Sequence, residues 1–334
     1  MTNGLRKVGF LVLMLLLLNG LSSWGFLVHK TVQQLAIYQL SVSLVPFFQG
    51  HADQLIYDAV RPDIRRNTDS TEASKHFIDL EDFGTDAAHR MPMNWDAAVK
   101  QYGKDSLLKY GYVPYQVVFI QKRLTEAFRI KNKDSILFYA ADLGHYIADA
   151  HVPLHTTSNF DGQLTQQHGL HSLWETVVPE VELNSYQLYT NHQAQYLNDP
   201  AAAIWKAVRQ AHTLLPDVFA KEKSVSLQFT DAEKYRIQVR KGKEYKYYTS
   251  AFAKAYGAAL KPTVNRQLLL SAELTADFWY TSWVDAGKPD LSSIANWNEA
   301  KKAAYQQELL LFKENELLKQ NKLQAKKTNS ADPS

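Results

Sequence analysis

Histidines and acids hold the chemistry this sequence can do, because the chain has no cysteine to offer as thiolate ligand or nucleophile. His145 and Asp149 are four residues apart in SILFYAADLGHYIADA, a run that predicts a helix, so both project from one face as two ligands of one metal should. His171 and Glu175 repeat the device. Between the pairs, Pro153 breaks the first helix and lets His155 turn from the His145/Asp149 face toward a second site. Upstream, Asp63 follows Pro62 in a predicted loop and His76 opens HFIDLED. A single His/acid pair at this spacing is ordinarily a surface ion pair or a hydrogen-bonded core histidine. Four such features in this order point instead to metal bound by neutral imidazole and carboxylate, the donor set that suits zinc.

The elements that must position these groups are helices. Val28, Val32, Leu35 and Ala36 share one face of a first helix carrying His29, and Val117, Ile120, Leu124 and Phe128 share another. Leu269, Ala272, Ala276, Trp279 and Trp283 form a third stripe. Asp134 is the expected N-cap of the His145 helix, and Pro179 the expected end of a shorter helix over 170–178. The prediction is an all-α fold, a single large multi-helix domain. One stretch departs from it: YRIQVRKGKEYKYY, 235–248, alternates around Lys241-Gly242 and predicts a small β-hairpin insertion.

The first residues read as a secretory leader. Arg6 and Lys7 precede an apolar run over 8–18 that is shorter than the ~20 residues of a bilayer span, and Ser22-Ser23 suit cleavage before Trp24. This divides the chain into a signal peptide over 1–23, one domain over 24–296, and a polar helix with a disordered tail over 297–334. The mature protein is expected to be exported, periplasmic or secreted, with no stable membrane span. Cleavage removes two cations and no acid, so the formal charge falls from +3 to +1. That balance gives no nucleic-acid footprint by bulk charge, and an anionic substrate would have to be caught locally. Without cysteine there are no disulfides, and stability rests on the core and bound metal. No protein partner is evident.

Trp24 with His29, then Asp63, His76, HYIADAHVPLH over 145–155 and HSLWE over 171–175, resemble the tri-zinc signature shared by bacterial zinc-dependent phospholipases C and the single-strand-specific zinc nucleases of fungi and plants. FWYTSWVDAG, near the end of the last aromatic-rich stripe, is similar to that family's closing core helix; 180–260 carries little that matches. The resemblance implies three zinc ions. One is held by Asp63, His76, His145 and Asp149. A second is held by the free amino group and carbonyl of Trp24, by His29 and by a bridging Asp149, and a third by His155, His171 and Glu175. It also implies in-line hydrolysis of a phosphodiester by a water shared between two metals, with Asp63 orienting the water and Asp149 joining the ions as the catalytic carboxylates.

Substrate choice divides within the resemblance. The short spacing from Trp24 to His29 and the wording HVPLH resemble the nucleases, whereas Glu175 as last ligand resembles the phospholipases. Single strands can be gripped by stacking on aromatics, which are 12% of the chain. The reading favours a nuclease- or nucleotidase-like activity on single-stranded nucleic acid. The alternatives are a phospholipase C and a non-catalytic zinc-binding exported protein. Phe160 and Asp161, in the loop after the metal block, are candidate substrate-binding residues. His168 is a candidate for a hydrogen bond supporting His171. His151, His51, His89, His192 and His212 read as ordinary core or surface histidines, and Trp95, Trp174 and Trp205 as packing residues.

Overall fold

The computed structural model describes residues 25–240, 243–260 and 262–327. The leader over 1–23, Trp24 and the terminal 328–334 lie outside the described residues. Among the described residues, helices longer than ten residues are α1 (Phe26–Tyr38), α2 (Val113–Arg129), α3 (Lys133–Asp149), α4 (Pro200–His212), α5 (Leu215–Ser226), α6 (Ser250–Leu260), α7 (Thr263–Asp285) and α8 (Glu299–Lys313). The sheet is one antiparallel hairpin, β1 (Tyr235–Arg240) with β2 (Lys243–Tyr248), in a register that places Tyr235 opposite Tyr248 and Val239 opposite Glu244. The fold is the expected all-α one with its small hairpin.

Four helices make the frame. α7 buries Leu268, Ala272, Ala276, Trp279 and Trp283 against α1, α2 and α3, and Trp279 Nε1 donates to the Ala140 carbonyl of α3 at 3.0 Å. α1 is buried nearly all round, which explains why its apolar stripe is wide and why its polar members must find partners: Gln33 Nε2 donates to Ala141 O at 2.8 Å. That contact needs Gly144, since a Cβ there would stand 2.4 Å from the Gln33 side-chain nitrogen. The missing side chain lets α1 approach α3 one residue before His145.

Three local expectations are corrected. Asn132, not Asp134, caps α3: its backbone is extended and its side chain accepts from Ser135 N–H at 2.9 Å, while Asp134 already lies in the first helical turn. Asp63 is in a one-turn helix, Arg61–Arg65, with Pro62 in its first turn. Pro179 does not end a helix; the path runs from Leu170–Ser172 through a π-helical stretch, Leu173–Val177, into Val178–Glu182. The wider π turns displace the preceding carbonyls with which the proline ring would collide.

The polar helix expected after residue 296 is α8, mostly exposed with Phe312 buried, but the segment that follows it is packed. Phe312, Leu317, Leu323 and Ala325 are buried in the same apolar cluster as Leu27 and Leu35 of α1, and Gln34 bonds to the backbone of Lys322 and Gln324. The packed unit therefore continues to Ala325. Among the described residues, no helix is long and apolar enough to cross a membrane.

Candidate metal centre

His145 and Asp149 end α3, and His29 of α1 lies over them: the His29 and His145 rings stack with centroids 3.9 Å apart, on the approach that Gly144 permits. His145 Nδ1 meets the Ala59 carbonyl at 2.8 Å, which fixes the ring and turns Nε2 inward. His76 is held from another direction. The next residues form a bridge between Ile78 and Gly111, and Ile78 N–H donates to His155 O at 2.9 Å, tying this segment to the turn Pro153–Thr156. Gly111 has φ +87°, and a Cβ there would meet Phe77 O at 2.3 Å.

These supports bring the expected residues together. His76 Nδ1 is 2.9 Å from Asp149 Oδ2, 3.1 Å from His145 Nε2 and 3.7 Å from Asp63 Oδ1. His145 Nε2 is 3.3 Å from Asp149 Oδ2 and 3.8 Å from Asp63 Oδ1. The other Asp149 oxygen is 3.4 Å from His155 Nδ1 and 3.7 Å from His29 Nε2. A third group gathers around Glu175, whose Oε2 is 3.3 Å from His155 Nε2 and 3.2 Å from His171 Nε2, the two nitrogens being 2.8 Å apart. Three sets of donors thus converge: His29/His145/Asp149, Asp63/His76/His145 and His155/His171/Glu175. Trp24 lies outside the described residues; a Cβ added at Gly25, the next residue, would stand 3.9 Å from Glu175 Oε1.

The electrostatics are those of a dry cluster short of positive charge. Burial and the neighbouring His145 push His29 down to about 4, so it is neutral. Burial also opposes charge on His145, but Asp149 and Asp63 outweigh it and raise that histidine to about 9. Burial alone would raise Asp149 and Glu175; the histidines around them hold both well below the usual carboxylate range. A proton on His76 Nδ1 would satisfy Asp149 and leave a bare Nε2 facing the anion Glu72, 3.6 Å away. With the proton on Nε2, the Nδ1 lone pair faces an Asp149 oxygen and a second imidazole nitrogen. Burial opposes charge on His76, but Asp149 and Glu72 outweigh it and raise the ring above its ordinary value, so a second proton relieves the conflict. A metal cation among the converging atoms relieves it without one, and imidazole and carboxylate are its proper ligands. Buried His, Asp and Glu groups here can hold metal.

Phe160 stands edge-on to His171 with centroids 5.9 Å apart and is 47% exposed, and Asp161 is close enough to favour the charged form of His171. Both substrate-side candidates therefore lie at the third group. His168 is exposed and outside the clusters. His151 is buried with Nδ1 against Ile147 O at 2.7 Å and is pushed down to about 4 by burial. His51 and His212 meet Ile294 O and Thr156 Oγ1. His192, expected as an ordinary core or surface histidine, meets Asp277 Oδ1 at 2.8 Å, brought by the fold from 85 residues away.

Two features escaped the sequence reading. Arg66 is half exposed with Nη1 3.6 Å from Asp63 Oδ1, and its charge is felt at His171, so it is a cation at the mouth of the centre. Only its position three after Asp63 signalled it. Behind His76 lies a buried ionic network of Glu72, Arg65, Asp142, Arg61 and Lys75. Its members are scattered over 61–142, and no single spacing announces them. No family model matches the chain, and no curated protein matches it.

Proposed function

We propose that the chain is an exported phosphodiesterase that uses three zinc ions and leans toward nuclease- or nucleotidase-like hydrolysis of single-stranded nucleic acid. The observation that carries this reading is the sharing of Asp149: one buried carboxylate stands within 3.7 Å of His29, His76, His145 and His155. Side chains that only stabilise a core have no need to converge in this way. Trp24, as a further ligand through a free amine, belongs to the same proposal and rests on the resemblance of its spacing to His29.

Zinc bound there supplies a Lewis acid for a phosphoryl oxygen and lowers the pKa of a water from 15.7 to roughly 7. The protein does the rest. Asp149 and Glu175 bring negative charge to the donor sets, and the fold shields Asp149 from water. Asp63, with its side chain 28% exposed, is the ligand-group carboxylate open to an attacking water, which it orients and whose proton it accepts. Arg66, beside it, binds a phosphate oxygen and sets the ester in line with that water. Phe160 offers a ring for base stacking, a contact of roughly 1–3 kcal/mol per base.

A phospholipase C is the second reading, favoured by Leu164, 71% exposed in the same loop as Phe160 and able to meet acyl chains. Zinc-loaded protein is tested on bis-p-nitrophenyl phosphate, then on single-stranded DNA, RNA, 3′-nucleotides and phosphatidylcholine. Faster cleavage of the nucleic acids is expected. Diacylglycerol release without nucleic-acid cleavage would reverse the ranking, and full zinc occupancy without turnover would leave a metal-binding protein.

A further inference from the structure

We propose that Glu72 is a positioning residue for the metal centre: its carboxylate accepts the His76 Nε2–H, and so presents the Nδ1 lone pair to the metal. The inference rests on the metal-centre reading above and concerns a side chain outside the three ligand sets.

Glu72 is fully buried, four residues before His76 and joined to it by the turn Ala73–Lys75. Its oxygens are held from several sides. Arg65 grips both, Nε to Oε2 at 3.0 Å and Nη2 to Oε1 at 3.0 Å. Lys75 Nζ lies 2.6 Å from Oε2, and the Tyr146 hydroxyl donates to Oε1. Arg65 is anchored in turn by Asp142 Oδ2 at 2.9 Å, and the other Asp142 oxygen is 2.6 Å from Arg61. A carboxylate fixed by so many donors has one remaining direction of influence, the Oε1 edge that faces His76 Nε2 at 3.6 Å.

His76 supplies the complementary observation. Its Nε2 is buried and has no hydrogen-bond partner within normal distance, and Glu72 Oε1 is the acceptor that faces it. Nδ1 points the other way, toward Asp149, His145 and Asp63. A neutral imidazole carries one proton, so placing it on the Glu72 side leaves Nδ1 free as a ligand. His145 shows the same division, with its outer nitrogen on a backbone carbonyl and its inner one facing the cluster. The two rings differ in the charge of the outer partner. An anion behind His76 raises the basicity of Nδ1 more than a neutral carbonyl can, and partners of this kind typically alter metal affinity ~10–100-fold when removed.

The experiment has two arms. In zinc-loaded protein carrying 15N-histidine, imidazole spectra locate the His76 proton; we expect it on Nε2, and a proton on Nδ1 overturns the proposal. In the second arm, Glu72→Ala, Glu72→Gln and Asp142→Asn are titrated with zinc against a chromophoric chelator. Glu72→Ala should weaken one zinc roughly 10–100-fold, Glu72→Gln, which keeps an acceptor oxygen, should weaken it less, and the remaining zincs should bind as before. Asp142→Asn loosens the same network without facing His76, so its affinities should stay near wild type. Wild-type affinity in Glu72→Ala, or equal losses in Asp142→Asn, would make the role merely structural. If Glu72→Ala does not fold, the spectrum of the wild-type protein decides. If the wild-type protein binds no zinc, the metal-centre reading fails, and the metal-free spectrum at alkaline pH still shows whether Glu72 holds the Nε2 proton.

Discussion

At the scale of single residues, the two carboxylates that end i, i+4 pairs have unequal roles although the sequence presents them as equals. Asp149 uses both oxygens, one toward His76 and His145 and the other toward His29 and His155, whereas Glu175 has two histidines, His155 and His171, within 4 Å among the described residues. Removing Asp149 should therefore empty two sites and removing Glu175 one. Elemental analysis of Asp149→Ala and Glu175→Ala, each shown folded by circular dichroism, checks this; equal losses would contradict the division of ligands. The pairs were legible because a helix brings residues four apart onto one face. The inequality was not, because it depends on His29 and His76 arriving from elements 120 and 73 residues away. Arg66 was illegible for a related reason: an arginine three residues from an aspartate is an ordinary surface pair until the fold sets that aspartate beside His76 and His145.

At the scale of elements, Gly144 sets how closely α1 can cross α3. In Gly144→Ala the new methyl would meet Gln33, breaking its bond to Ala141 and lifting His29 from His145. The expected cost is ~1–3 kcal/mol of stability, as for other overpacked sites, with weaker zinc at the His29 group. Thermal melts and zinc titration of the variant check both; unchanged values would show that Gln33 simply moves aside.

α7 offers a second case. Glu273, Asp277, Thr281 and Asp285 recur every four residues along it, and each holds a polar group of the extended stretch 190–197: Thr190, His192 and Gln195, Leu197, and Tyr196 in turn. The apolar stripe of α7 was readable by its period, but the polar stripe beside it served a segment with no periodicity of its own. Burial opposes charge on His192, yet Asp277 outweighs it and raises the histidine above its ordinary value of 6.5. The folded state thus binds the proton more tightly. This contribution is complete below pH 6.5 and fades as the pH rises through the raised value. His192→Gln should be less stable than wild type by about 1–2 kcal/mol at pH 5.5, with the gap narrowing by pH 8.5. Urea unfolding at the two pH values measures it, and a gap that widens with pH would contradict the assignment.

At the scale of the whole molecule, the core divides into two apolar clusters, and α1, α3 and α7 each contribute to both. Ala36, Ala140 and Trp279 belong to one; Leu35, Ala148 and Ala272 belong to the other. His29, His145 and Asp149 lie on these bridging helices, so the converging polar groups sit where the clusters meet. Helices and their stripes were readable from period, while the division of the core and the docking of Leu317 and Leu323 depend on contacts far apart in the chain. Metal bound here would also stabilise the fold, because without it buried donors with opposed lone pairs lie between the two clusters. A ligand bound only by the folded state stabilises it by about 2.7 kcal/mol at a hundredfold excess over its dissociation constant. Chelation should therefore lower the melting temperature by several degrees or more, and the melting temperature should climb with added zinc.

The loss should be uneven. His171 and Glu175 sit on a one-turn helix followed by a π stretch, a weak local structure that the third group ties to His155. Hydrogen exchange after chelation should accelerate first over 170–183, while α2 and the middle of α3, packed within the first cluster, keep their protection. Uniform exchange across the chain, or a melting temperature indifferent to zinc, would mean that the converging histidines are an ordinary buried polar network.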